Sequence, residues 1–175
     1  MTYRMTYRTK TYIAGDWTGD KDAIDQLYKW NDSNYWSLHF IDAHNFTQAR
    51  DGSLNCSIKS SLKTRLDKSK TFVLIVGAQT NVLKAGSCRY CASYKSSDSP
   101  CKRGYSVDCQ SYIEYECEQA VAAGIKIVVL YNYARVYKDK CPIAVRDKGQ
   151  HVAMKTYVDG VSQFDYQAVK AALDA

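Results

Sequence analysis

The segment Thr71-Phe-Val-Leu-Ile-Val-Gly77 is apolar on both faces and rich in β-branched side chains. Such a run predicts a strand that is buried within a parallel sheet. Residues 126–131 have the same character, and three further segments also fit strands: 12–14, 37–42 and 152–158. We therefore expect five strands.

Apolar residues at helical spacing predict four helices around these strands. They are marked by Ile24, Leu27 and Trp30, by Leu54, Ile58, Leu62 and Leu66, by residues 111–124, and by residues 165–173. Asp20 or Thr18 can cap the first helix, and Gly124 can close the third. Strands that alternate with helices indicate an α/β fold. We predict a flavodoxin-like three-layer fold with a central, mainly parallel five-stranded sheet.

The composition is that of an ordinary globular protein. The chain has 175 residues, 46% of them hydrophobic, and a formal net charge of +6. We expect an N-terminal extension at 1–8, in which the first four residues are repeated, and a single domain at 9–175. A cysteine-rich insertion occupies about 79–110. The basic residues are scattered, and a solvated helix face explains Lys59, Lys63, Arg65 and Lys68, so we expect no nucleic-acid partner.

The chain carries an odd number of cysteines, seven, and a polar N-terminal sequence. Its longest apolar runs are far shorter than a membrane span of about 20 residues. We expect a cytoplasmic protein with reduced thiols and no membrane partner.

Three glutamates of the predicted helix 111–124 lie near the ligand side of the sheet. Parallel α/β sheets bind ligands beyond the carboxyl ends of their strands, where this helix begins. Glu118 points away from the packed face, whereas Glu114 and Glu116 are expected to flank that face on opposite sides. Tyr112 precedes Glu116 by one helical turn. Periodicity alone favours three solvated glutamates.

The order of these elements resembles the bacterial TIR-like (Toll/interleukin-1 receptor-like) family. Tyr115-Glu-Cys-Glu-Gln-Ala120, followed by Gly124-Ile-Lys-Ile-Val-Val-Leu-Tyr131, is similar to a helix–strand segment of that family. Leu74-Ile-Val-Gly77 before Thr80 is similar to its third strand and the following loop. The branch that the chain most resembles is the TIR-like proteins of Thoeris antiphage defence. Two departures are Tyr112, where many relatives have tryptophan, and the long cysteine-rich loop.

The resemblance implies an enzyme that cleaves the nicotinamide–ribose bond of NAD+ and gives a cyclic or linear ADP-ribose signal. It maps the catalytic glutamate to Glu116. The substrate-binding residues that we assign with it are Gly15, Asp16, Trp17, Asp42, His44, Asn45, Phe46, Gly77, Thr80 and Tyr112. It also implies self-association through TIR-like surfaces, a separate effector protein that reads the signal, and a phage trigger.

A single carboxylate suits this chemistry. Nicotinamide leaves as a neutral molecule from a cationic ring, and the transition state resembles an oxocarbenium ion. A carboxylate can stabilise that charge, so we expect no required cofactor. Trp17 can form an aromatic wall for nicotinamide, although a partly buried aromatic near the sheet edge is an equal alternative. His44 can bond a phosphate, but a plain loop histidine is the simpler interpretation.

The spacing Cys88-x2-Cys91-x9-Cys101-x7-Cys109 is compatible with a structural zinc site. The irregular spacing of its second half favours the alternative, free thiols. Other activities fit less well. The chain has no GxGxxG fingerprint of a dehydrogenase, no aspartate after the third strand for a receiver domain, and no phosphate loop for FMN. A non-catalytic TIR-like assembly module remains the main alternative, since both share one fold.

Overall fold

A computed structural model describes residues 8–44, 54–95 and 101–175. The predicted N-terminal extension, apart from Arg8, and the predicted site residues Asn45 and Phe46 lie outside these ranges. The strands and helices, in chain order, are β1 (Lys10–Ala14), α1 (Lys21–Asp32), α2 (Asn55–Leu66), β2 (Ser69–Val76), α3 (Tyr112–Ala122), β3 (Lys126–Tyr131), β4 (Gln150–Ala153), β5 (Lys155–Val158), β6 (Val161–Phe164) and α4 (Tyr166–Asp174). Single 3-10 turns occur at Cys88–Tyr90, Lys138–Lys140 and Ile143–Val145.

The first four strands form a parallel sheet in the order β1-β2-β3-β4. Alternate residues of β2 face opposite layers, as the pleat requires. Phe72, Leu74 and Val76 pack in one apolar cluster with residues of α2 and α3. Val73 and Ile75 pack in another with residues of α1 and α4. The predicted α/β architecture with a helix-covered parallel sheet is confirmed, but this sheet has four strands in the described residues and not the five that we predicted.

The predicted strand at 37–42 is wrong. Only Asp42 pairs with β1, through an isolated parallel bridge to Thr11. His39 has a φ of 57°, which leaves the extended region,. Asn31 of α1 binds both backbone groups of Phe40, accepting from its N–H at 2.9 Å and donating to its carbonyl at 3.0 Å. The Asn31 side chain therefore pairs with the Phe40 backbone N–H and carbonyl groups, which a neighbouring strand would otherwise bind.

The predicted strand at 152–158 is in fact two strands. β4 ends at Ala153, and the buried Met154 separates it from β5. β5 then pairs with β6 in an antiparallel hairpin. Asp159 and Gly160 both have positive φ, 52° and 77°, as a two-residue type I′ turn requires,. Asp159-Gly160 between Val158 and Val161 is a hairpin signal that we did not use in predicting a single strand over 152–158,.

Lys59 is not part of a solvated face, contrary to our prediction, whereas Lys63 and Lys68 are exposed as predicted. Lys59 is only 5% exposed. Its Nζ donates to Asp108 Oδ2 and to the Gln110 carbonyl, both at 2.8 Å. These hydrogen bonds connect helix α2 to the segment that leads into α3, and they help to position the candidate site on α3.

Within the described residues, no helix is both long enough and apolar enough to cross a membrane.

Candidate active site

Helix α3 begins with a capping box. Ser111 Oγ accepts from the Glu114 N–H at 3.1 Å, and Glu114 Oε2 accepts from the Ser111 N–H at 2.7 Å. This reciprocal pair fixes the first turn and therefore the phase of the helix. The buried residues of the helix are Ile113, Glu116, Cys117 and Ala120.

Glu116 lies on the packed face of α3 instead of flanking it, which corrects our expectation. Its side chain is 7% exposed. The spacing from Ile113 to Glu116 is three residues and from Glu116 to Ala120 four, which is the spacing of one helix face. That pattern could have predicted the burial, but a carboxylate is rarely placed in a core without a partner.

The partner is Tyr12 of β1. Its hydroxyl donates to Glu116 Oε1 at 2.5 Å. Burial raises the pKa of Glu116 to about 7, although the Tyr12 hydrogen bond and the charge of Arg65 act in the opposite direction,. Burial and the neighbouring Glu116 also raise the pKa of Tyr12. The pair therefore holds a carboxyl group that ionises near neutral pH.

The Tyr12 ring connects this carboxyl group to the end of segment 37–44. Its centroid lies 4.7 Å from that of His44, and the His44 ring lies 5.3 Å from that of Trp17. We call Tyr12, Trp17, Asp42, His44 and Glu116 the Tyr12 cluster. Trp17 is 46% exposed and supplies its aromatic surface at the solvent side.

Asp42 orients His44 within the Tyr12 cluster. The His44 N–H donates to Asp42 Oδ1 at 2.9 Å, and His44 Nδ1 lies 3.1 Å from the same oxygen. The Tyr28 hydroxyl donates to Asp42 Oδ2 at 2.7 Å. Burial alone would raise the pKa of Asp42, but the hydrogen bonds from His44 and Tyr28 outweigh it and lower the pKa,. Asp42 is therefore an ionised anchor for the imidazole.

Tyr112 does not join the Tyr12 cluster. Its hydroxyl donates to Asn55 Oδ1 at 3.1 Å. Its ring packs against Gly86, where an added Cβ would lie 2.6 Å from the ring. Although Tyr112 lies one helical turn before Glu116, its side chain therefore contacts helix α2 and the loop before α3.

Four further predicted site residues, Gly15, Asp16, Gly77 and Thr80, surround a second polar centre, at the carboxyl ends of β1 and β2. The Gly77 N–H donates to the buried Thr80 Oγ1 at 2.8 Å. Gly15 packs on Ile75, and Asp16 accepts from the Thr18 N–H at 3.1 Å. These contacts shape turns, so they account for these residues without a ligand.

Asp20 and Asn132 occupy the middle of this second centre, although we predicted only a helix cap for Asp20 and no role for Asn132. Asn132 Nδ2 donates to Asp20 Oδ1 at 3.0 Å and to Asp22 Oδ1 at 2.9 Å. Asp22 also accepts from Lys155 at 3.1 Å. Burial raises the pKa of Asp20, against the Asn132 hydrogen bond. Both residues directly follow strands or their turns, which is the position that could have revealed them.

The four cysteines of the proposed zinc site are not gathered. Among the residues that the structure describes, no three His, Cys, Asp or Glu side chains are placed to hold a metal ion. Cys88, Cys91 and Cys101 are partly buried and Cys109 is exposed, all as free thiols. Cys117 is a buried core residue.

Comparison with known families supports the resemblance inferred from the sequence. Residues 11–85 match the family model of the Thoeris protein ThsB, TIR-like domain. The ThsB match covers most of the Tyr12 cluster, namely Tyr12, Trp17, Asp42 and His44. It ends before helix α3, so Glu116 lies outside the matched segment. No curated protein matches the chain.

Proposed function

We propose that this chain is a TIR-like signalling enzyme of Thoeris antiphage defence that cleaves the nicotinamide–ribose bond of NAD+. The products would be nicotinamide and a cyclic or linear ADP-ribose signal, which a separate effector protein reads. The ThsB match supports the defence role. The observation that carries the enzymatic proposal is the Glu116 carboxyl group, which is buried, hydrogen-bonded to Tyr12 and connected through it to His44 and Trp17.

In the proposed reaction, the bond between the ribose C1′ and the nicotinamide nitrogen breaks and its electron pair goes to the nitrogen. Nicotinamide leaves neutral, and positive charge develops on the ribose. Ionised Glu116 would stabilise that charge. Water then forms a bond to C1′ and loses a proton to solvent, which gives ADP-ribose. Alternatively, a group of the same molecule attacks C1′, loses a proton in the same way and gives a cyclic product. Trp17 would face the nicotinamide ring and His44 a phosphate.

The direct test is release of nicotinamide from NAD+ by the purified full chain, with Glu116→Gln as the inactive reference. We expect release by the wild type that rises per molecule with protein concentration or with a phage-derived trigger, since the proposal includes self-association. Release that is equal in wild type and Glu116→Gln would contradict the assigned role of Glu116.

A non-catalytic assembly module is the second candidate. Two observations favour it: Glu116 is almost fully buried, and Tyr112 is committed to Asn55. Under this alternative, Glu116 only stabilises the core through Tyr12. The absence of nicotinamide release at any concentration or trigger, together with retained self-association, would support this candidate over the enzyme.

A further inference from the structure

Tyr12 lies between Glu116 and the other members of the Tyr12 cluster. We infer that Tyr12 is a positioning residue, whose hydroxyl holds the Glu116 carboxyl group for the substrate and whose ring links it to the Asp42–His44 pair. The consequence for turnover rests on the proposed function. The positioning of the Glu116 carboxyl group by Tyr12 does not rest on the proposed function, and it can be measured without any substrate.

The geometry leaves the Tyr12 side chain little freedom. Tyr12 is fully buried. Its ring packs between His44, at 4.7 Å, and Phe72, at 5.9 Å between ring centroids. A ring packed in this way directs its hydroxyl along one line, and that line ends at Glu116 Oε1. A donor that is fixed before the substrate arrives is the arrangement that positions a reacting group.

The charges around Glu116 indicate what the hydroxyl does. Tyr12 faces the carboxyl group from β1, and the Arg65 charge acts on it from α2. On α3 itself the adjacent group is the buried Cys117 thiol, which in turn interacts with Cys141 from the loop after β3. Tyr12 and Arg65 favour the ionised carboxylate, against burial, which favours the neutral acid,. Loss of the hydroxyl should therefore raise the pKa of Glu116.

The test is the titration of Glu116 in wild type and Tyr12→Phe, followed by carbon NMR of glutamate δ-carbons in the full chain. Glu116→Gln identifies the signal, and Glu118→Gln is the control for an exposed neighbour. Phenylalanine keeps the ring contacts with His44 and Phe72 and removes only the donor. We expect the pKa of Glu116 to rise by roughly one unit, since a hydrogen bond to a charged group is among the stronger ones.

Site-specific replacement of Tyr12 by 3-fluorotyrosine provides a second variant with the opposite sign. Its hydroxyl is a stronger donor, so the pKa of Glu116 should fall, and this result does not depend on the folding of Tyr12→Phe. An unchanged Glu116 titration in both variants would overturn the inference and leave Tyr12 a core residue.

The acid limb of nicotinamide release should move with the same sign, so turnover by Tyr12→Phe should fall about tenfold at pH values below the pKa of Glu116. If the pKa of Glu116 shifts in the Tyr12 variants while neither they nor the wild type release nicotinamide, the proposed enzymatic function is wrong. The inference that Tyr12 positions Glu116 is then still supported.

Discussion

Glu116 and Glu118 lie two residues apart on helix α3, yet Glu116 is buried among core residues and Glu118 is exposed to solvent. At 100° per residue the two side chains point in nearly opposite directions. They share residue type, helix and formal charge, so they form a matched pair for testing which glutamate carries the proposed chemistry.

We expect Glu116→Gln to lower nicotinamide release by about 10²–10³, the usual cost of one electrostatic partner of a transition state. Glu118→Gln should retain wild-type turnover, because its carboxylate lies in solvent. Turnover numbers and melting temperatures of both variants provide the check. A loss of activity in Glu118→Gln alone would reverse the assignment.

Activity should also depend on pH through the same residue. Burial places the pKa of Glu116 at about 7, and the proposed mechanism uses the ionised form. The rate should therefore rise with pH up to about 7 and fall about tenfold per unit below it. A pH profile of kcat/KM for NAD+ measures this. A profile that stays flat from pH 5 to pH 8 would exclude Glu116 as the ionising group.

The same pKa predicts how stability depends on pH. The folded pKa of Glu116, about 7, lies above the ordinary value of 4.5. The folded state therefore binds more protons between these values, so the contribution of Glu116 to stability is largest below 4.5 and is lost as the pH rises through 7. Relative to Glu116→Gln, wild type should lose up to about 3 kcal/mol over that window. Denaturant unfolding of both proteins at several pH values tests this, and parallel curves would contradict it.

The Lys59–Asp108 ion pair should contribute more to the free energy of unfolding than the exposed Lys63–Asp67 pair, which lies one helical turn further along. Lys59 is 6% exposed at its side chain, whereas Lys63 and Asp67 are 49% and 47% exposed. Asp108→Asn removes the negative charge beside the buried ammonium, which keeps its contacts with the Gln110 carbonyl and the Tyr115 ring. We expect a loss of about 1–3 kcal/mol, because Asp108 is itself partly exposed,. Asp67→Asn is the control and should cost less than about 0.5 kcal/mol. Equal melting temperatures for the two variants would refute the difference.

Gly77 is expected to act through packing against Asp20 and not through a substrate. An added Cβ would lie 1.8 Å from Asp20 Oδ1, which Asn132 holds in place. Gly77→Ala should therefore destabilise the fold by about 1–3 kcal/mol. In an Asp20→Ala background the same change should cost less, because the clashing atoms are gone. An unchanged cost in the double variant would place the effect of Gly77 elsewhere.

Local sequence patterns were sufficient for the parallel sheet, the four helices and the ThsB-type resemblance. The strands at 71–77 and 126–131 are apolar on both faces, so both faces of their sheet must be buried. The segments with helical spacing predict the helices that cover those faces. The same patterns wrongly predicted a strand at 37–42, where Asn31 binds the Phe40 backbone and His39 has a positive φ. They also wrongly predicted one continuous strand through Met154, where the chain leaves the sheet.

The sequence by itself determined that a glutamate lies near the start of a helix at the ligand side of a parallel sheet. Only the tertiary structure decided its environment. Tyr12 and Glu116 are 104 residues apart, and nothing in either local sequence indicates the other. The hydrogen bond forms because the Tyr12 side chain of β1 points to the face of the sheet that α3 covers, and burial there, not the residue type, raises the pKa of the carboxyl group to about 7.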